Sequence, residues 1–152
     1  MPELIYRKAT SADLPFMVDL IAVDDVSGSA ETWAAANAPL YEAALAAIDA
    51  DPNQELIIAE LDGAAVGTLQ LTFIPGIMRR GMWRAVVESV HIVPEQRNKG
   101  LGKQMMGWAA ERCRARDCGL VQLTSSKKRL DAHRFYRTLG YDQSHEGFKL
   151  YL

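Results

Sequence analysis

The order of apolar and polar positions changes period several times along the chain. LIYRKA alternates and reads as a short strand. TSADLPFMVDLIAVDD then takes helical spacing, with Leu14, Met17, Val18 and Ile21 on one face. Thr10 or Ser11 serves as its N-cap and Asp13 sits in its first turn. A second, alanine-rich helix is expected from about Ala30 to Ile48, with Pro39 starting, kinking or dividing it. ELIIAELDGAAVGTLQLTFIPG has the pattern of two strands around a tight turn at Asp62-Gly63. IPGIMRRGMW is a turn-rich link, and WRAVVESVHIV is another strand, ended by Pro94. From Gly100 to about Arg116 the period is helical again, with Leu101, Met105, Ala109 and Cys113 aligned. GLVQLTSS predicts a strand and DAHRFYRTLG a short helix closed by Gly140. YDQSHEGFKLYL predicts one or two final strands.

This order predicts one mixed α/β (α+β) domain over residues 1–152. Its sheet is mostly antiparallel, with six to seven strands and about four flanking helices, and turns parallel across the helix that begins at Gly100. Composition narrows the function. At 152 residues, 49% hydrophobic and 24% charged, the chain has the make-up of a globular domain with a core of its own. A net charge of -2 gives no general drive toward nucleic acid or an anionic membrane, so any anion binding must be local. No run approaches the roughly 18 apolar residues of a membrane span, and the early charges in MPELIYRKATSAD do not suit a signal peptide. A cytoplasmic location is expected. Cys113 and Cys118 are expected as reduced structural thiols. His91, His133 and His145 fall in different elements without metal-ligand spacing, so no metal is expected.

The chemistry concentrates in RNKGLG, a glycine-punctuated turn running into a helix. Glycines there let backbone N–H groups approach a guest closely, and a helix N-terminus favours an anion. A nucleotide P-loop fails, because Gln104 follows Gly102-Lys103 and Arg97 occupies the upstream glycine position. A dinucleotide fingerprint fails at Met105. VHIVPEQRNKGLG resembles the signature of the GCN5-related N-acetyltransferase (GNAT) superfamily, [QR]-x-x-G-x-[GA] after a strand. AHRFYRTLGY, from Ala132 to Tyr141, resembles the second signature of that family, and the order of elements matches over nearly the whole chain.

The resemblance implies an acetyl-CoA-dependent N-acetyltransferase with acetyl-CoA as co-substrate. The loop Arg97, Asn98, Lys99, Gly100, Leu101, Gly102 and Lys103 would hold the pyrophosphate, although Lys99 also suits a solvated surface. The backbone amides of Ile92 and Val93 would serve the pantetheine arm and the acetyl oxygen. Glu88 is the lone carboxylate in its strand, where an unpaired charge is costly. By resemblance it is the base; it could equally pair with Arg84 or face solvent. Tyr136 matches the family tyrosine that protonates the coenzyme A sulfur, or else packs beside Phe135. Arg129 stands where many members carry asparagine, and it either reaches a phosphate or forms a solvated basic turn with Lys127 and Lys128. Ser125 and Ser126 could hydrogen-bond the cofactor.

For the acceptor, a small-molecule or peptide amine, two hints conflict. Asp24, Asp25 and Glu31 suit a cationic amine, whereas Arg79 and Arg80 suit an acceptor bearing an anion; either group also suits an ordinary solvated loop. Many members of the family are dimers, and the terminal strands here could pair across subunits. A non-catalytic coenzyme A or acyl-CoA sensor is the alternative reading.

Overall fold

The computed structural model of the chain describes all residues except 1, 26, 27 and 29. Residues 1–122 form one compact unit and residues 123–152 a second. In the first unit the order is β1 (Ile5–Lys8), α1 (Leu14–Val23), α2 (Ala38–Ala50), β2 (Gln54–Leu61), β3 (Ala64–Ile74), α3 (Met78–Gly81), β4 (Trp83–Ile92), α4 (Leu101–Ala115) and β5 (Cys118–Gln122). Short 3-10 turns at Ser11–Asp13 and Pro94–Gln96 precede α1 and follow β4. The sheet runs β1-β2-β3-β4-β5. Its first pairings are antiparallel, and β4 pairs with β5 in parallel across α4, as the pattern predicts.

Each element has a local cause. The Thr10 N–H donates to Asp13 Oδ2 at 2.7 Å, which satisfies a donor at the entry to α1. Asp62 and Gly63 both take positive φ, 51° and 81°, the geometry of a two-residue hairpin turn. α2 starts eight residues later than expected (Ala38 rather than about Ala30), because Pro39 lacks an N–H and is accommodated only in a first turn. Residues 31–34 carry no regular structure.

Strand alternation gives the sheet two different faces. Ile57, Ala59, Leu69, Leu71, Phe73, Ala85 and Val87 are buried on one of them. The predicted stripe of α4, Leu101, Met105, Ala109 and Cys113, is also buried. Burial pushes the Cys113 thiol up to about 11, consistent with an inert thiol. On the other face Ile58 packs with Ala9 and Met17, joined by Phe16 and Leu56. Glu55 is a buried charge on the first face; Arg112 Nε donates to it at 2.9 Å, and Arg116 lies 3.5 Å away and also stacks over Phe73. This pair ties the end of α4 to β2. Among the described residues no helix is long and apolar enough to cross a membrane.

The second unit contains α5 (Leu130–Thr138). Gly140, at φ 91°, closes it: its N–H donates to the Arg137 carbonyl and the Tyr141 N–H to the Tyr136 carbonyl, a Schellman cap. The expected final strands do not form. Residues 141–152 carry no regular structure, and Phe148, Leu150, Tyr151 and Leu152 are exposed, so the sheet has five strands among the described residues instead of six to seven. Alternation marks a segment as able to be a strand, but a ladder also needs a neighbour to take its N–H and C=O groups.

Arg7 holds the entry to α1 from the sheet. Its guanidinium binds Asp13 at 2.7 and 2.8 Å and Glu60 at 2.6 Å. The Arg7 bond is the largest cause of the Asp13 carboxyl lying low, at about 2. The folded value is below the unfolded value of ~3.9, so this stabilisation is present above about pH 4 and is lost as pH falls toward 2. With Arg7 partly solvated, Asp13→Asn should cost about 1–2 kcal/mol at pH 7 in urea unfolding, and its gap from wild type should close as pH is lowered through that window.

Candidate active site

The site begins where β4 loses one neighbour. Its parallel register with β5 runs Trp83↔Cys118, Arg84↔Leu120, Ala85↔Val121 and Val86↔Gln122, and ends there. β4 continues to Ile92, still paired with β3 through Thr68↔His91 and Gly67↔Ile92. From Val87 onward one edge of β4 is therefore without a paired strand among the described residues, an open edge in that sense. A bulge lies in this stretch: Gln70 opposes Glu88 but Thr68 opposes His91, so Ser89 and Val90 together face Leu69. Ser89 has φ 52°, in the left-handed region. Gly67 is needed opposite the strand end, because a Cβ there would lie 2.9 Å from both the His91 carbonyl oxygen and Met105 Sδ.

The backbone at the end of β4 corrects one expectation. The Val93 N–H is not free; it donates to the Val66 carbonyl at 2.9 Å. Antiparallel alternation then turns the N–H and C=O of Ile92 away from β3, toward the open edge. The Ile92 carbonyl accepts Arg97 Nε at 3.0 Å.

Beyond Pro94–Gln96 the chain makes a turn with Asn98 at φ 60° and Gly100 at φ 80°, then enters α4. The first helical bond is Gln104 N–H to Gly100 O, at 3.2 Å. Among the described residues the amides of 98–103 donate to no protein acceptor. A row of unbonded N–H groups at the positive end of a 15-residue helix fits a pyrophosphate. The Lys99 ammonium reaches Gln96 Oε1 at 3.1 Å, and Lys103 is exposed. The Arg97 guanidinium is engaged inside the protein: besides Ile92 O it binds Asp24 Oδ2 at 2.7 Å.

Glu88 is exposed and lies directly across from Gln70, and among the described residues it makes no ion pair with Arg84. Gln70 Nε2 donates to Gln54 Oε1 at 2.9 Å, and Thr72 Oγ1 to the same oxygen at 3.0 Å. A polar strip thus crosses β2 and β3 to Glu88 and can hold water or an amine beside it. Sequence reasoning passed over this strip. Its signal was Gln54, Gln70 and Thr72 at same-face positions of otherwise apolar strands.

In the second unit Tyr136 is flanked by Phe135 at 5.2 Å and by Tyr141, edge-on, at 5.9 Å. Burial raises its phenol above the usual tyrosine value, and the nearby charge of Arg129 opposes that shift. Arg129 is the N-cap of α5; its carbonyl accepts the His133 N–H at 3.1 Å. Ser125 is half-buried.

Both acceptor hints weaken. The acidic group is bonded within the protein: Asp24 to Arg97, Asp25 to the Gly28 and Ala30 amides at 3.1 Å, and Glu31 to the Tyr41 hydroxyl. Arg79 and Arg80 are exposed in a turn at the far end of β4, both with positive φ. At about 3.3 Å per residue, Trp83 alone is about 17 Å from Glu88, farther than a small amine spans.

The family model for the acetyltransferase (GNAT) family matches residues 19–141, and the chain belongs to that family. Over 98 residues it is 34% identical to an aminoalkylphosphonate N-acetyltransferase of Salmonella typhimurium, covering 64% of this chain and 63% of that protein. The chain thus spans about 63% of the length of this curated relative. A solved transcriptional regulator from Bacillus halodurans superposes with a TM-score of 0.91 at 42% identity, over 99% of this chain and 100% of the other. Glucosamine-6-phosphate N-acetyltransferase from Arabidopsis thaliana shares the fold, with a TM-score of 0.78 at 19% identity over 98% of each chain.

Gly100 gives the most direct test of the loop geometry. At φ 80°, Gly100→Val should cost about 1–3 kcal/mol of stability. It should also weaken acetyl-CoA binding in calorimetric titration far more than Gly107→Ala, a change inside α4 with open space around it.

Proposed function

We propose that the chain is an acetyl-CoA-dependent N-acetyltransferase that moves the acetyl group to a primary amine of a small molecule or peptide, by direct transfer in a ternary complex. The observation that carries this reading is the row of unbonded amides at 98–103, set beside the open edge of β4. Family membership and the named activity of the Salmonella relative support the acetyl transfer and the amine acceptor.

Each residue has a defined task in this reading. The amides of 98–103 hold the pyrophosphate. The Ile92 N–H donates to the thioester carbonyl oxygen and stabilises the charge that develops there. The acceptor arrives as an ammonium with a pKa near ~10.4, so deprotonation at neutral pH costs roughly 4–5 kcal/mol. Glu88 takes that proton, directly or through water held along Gln70. The amine nitrogen forms a bond to the carbonyl carbon, and the carbon–sulfur bond breaks. By the resemblance, Tyr136 gives its proton to the departing thiolate; the second proton of the amine nitrogen, lost as the amide forms, returns through solvent to the phenol, whose raised pKa keeps it protonated through neutral pH. The resemblance assigns Ser125 and Arg129 to coenzyme binding as well.

The second reading is a coenzyme A or acyl-CoA sensor, favoured by the name of the 42%-identical Bacillus relative, a transcriptional regulator. Turnover separates the two. Thiol release should be assayed against aminoalkylphosphonates, polyamines, aminoglycosides and lysine peptides. The enzyme reading predicts release with at least one acceptor, and a fall of about 100-fold or more in kcat for Tyr136→Phe with acetyl-CoA affinity unchanged. Tight acetyl-CoA binding with no turnover on any amine would favour the sensor.

A further inference from the structure

Arg97 heads the glycine turn, where a phosphate contact is the natural expectation. Its guanidinium instead bridges two parts of the protein. Nε donates to the Ile92 carbonyl at 3.0 Å, and Nη2 donates to Asp24 Oδ2 at 2.7 Å. Asp24 is the residue after α1, 73 residues earlier in the chain. The same Asp24 oxygen lies 3.4 Å from His91 Nδ1. The carboxylate is 19% exposed and the guanidinium 37%, so the pair is partly withdrawn from solvent. A guanidinium already facing a carboxylate has much of its charge answered and two of its donors spent.

We infer that Asp24 is a positioning residue for the donor site: it anchors Arg97, and Arg97 clamps the Ile92 peptide and the start of the 98–103 amide row. This deepens the acetyl-CoA reading and rests on it for its functional meaning. The clamp matters because the end of β4 has lost the neighbour that would fix its open edge. From Val87 onward no β5 residue pairs with β4. The Arg97 side chain takes the place of that strand at the Ile92 carbonyl, and so sets the orientation of the peptides on either side of Ile92. Lysine cannot replace it, because a single ammonium lacks the planar fork that serves a carbonyl and a carboxylate at once.

The test is hydrogen exchange on the ligand-free protein, read over residues 91–100, for wild type, Asp24→Asn, Arg97→Gln, Arg97→Lys and the Asp24→Asn/Arg97→Gln double variant. Urea unfolding of each variant checks the global fold, and Arg97→Lys and Asp24→Asn are mild enough to keep it. Acetyl-CoA affinity is measured alongside. The clamp predicts exchange about tenfold faster in this segment for every single variant, with the double variant no faster than Arg97→Gln. Acetyl-CoA affinity should fall in step with exchange. Weaker acetyl-CoA binding in Arg97→Gln with exchange unchanged would make Arg97 a phosphate ligand and overturn the clamp. Wild-type exchange in Asp24→Asn would overturn the role of Asp24. Faster exchange in a protein that never binds acetyl-CoA would support the clamp while removing the acetyl-CoA reading.

Discussion

The parallel pairing of β4 with β5 stops at Val86 and Gln122, and the site depends on its stopping there. A strand inside a sheet normally satisfies its backbone on both edges. Here, among the described residues, β4 continues to Ile92 paired with β3 alone; Arg97 takes the Ile92 carbonyl, and the Ile92 N–H is turned to the edge that β5 leaves. The bulge at Ser89 adds to this by changing the alternation late in the strand. Because α4 follows within a few residues, its unbonded N-terminal amides begin close in sequence to that edge. In the proposed reading, strand edge and helix end together supply donors for an extended, phosphate-bearing thioester without a dedicated side chain at each point.

Charged groups in the first unit serve architecture before chemistry. Glu55 is buried and bound by Arg112, fixing α4 on β2. Asp13 is bound by Arg7, fixing α1 on β1. Asp24 is bound by Arg97, fixing the end of α1 to the glycine turn. Glu88 differs: it is an exposed carboxylate opposite a neutral glutamine that is itself oriented by Gln54. That contrast separates a group available to a substrate from groups the fold has already used.

Much of this was legible in the sequence where the cause is local. The α4 stripe, the Asp62-Gly63 hairpin and the Gly140 closure all follow from spacing and turn chemistry, and all are present, whereas the N-cap of α1 is Asp13 and Thr10 precedes only the short 3-10 turn. The glycine turn was legible because glycine and a helix start are both local signals. What was not legible depends on distant partners. Arg97 reads as a phosphate contact until Asp24, far away in sequence, is seen beside it. Asp24, Asp25 and Glu31 suit a cationic amine or a solvated loop until their bonds are traced. FKLYL has the alternation of a strand, but its side chains are exposed and no ladder forms. Ser89 takes a left-handed conformation with no glycine to announce it.

The central claim is that backbone amides, more than side chains, receive the donor. Amide NMR shifts followed during acetyl-CoA titration test it most directly. The account predicts the largest changes at Ile92 and across 98–103, with the amide of Val93, already bonded to Val66, changing less. Saturable binding that left the 98–103 amides unmoved would contradict it.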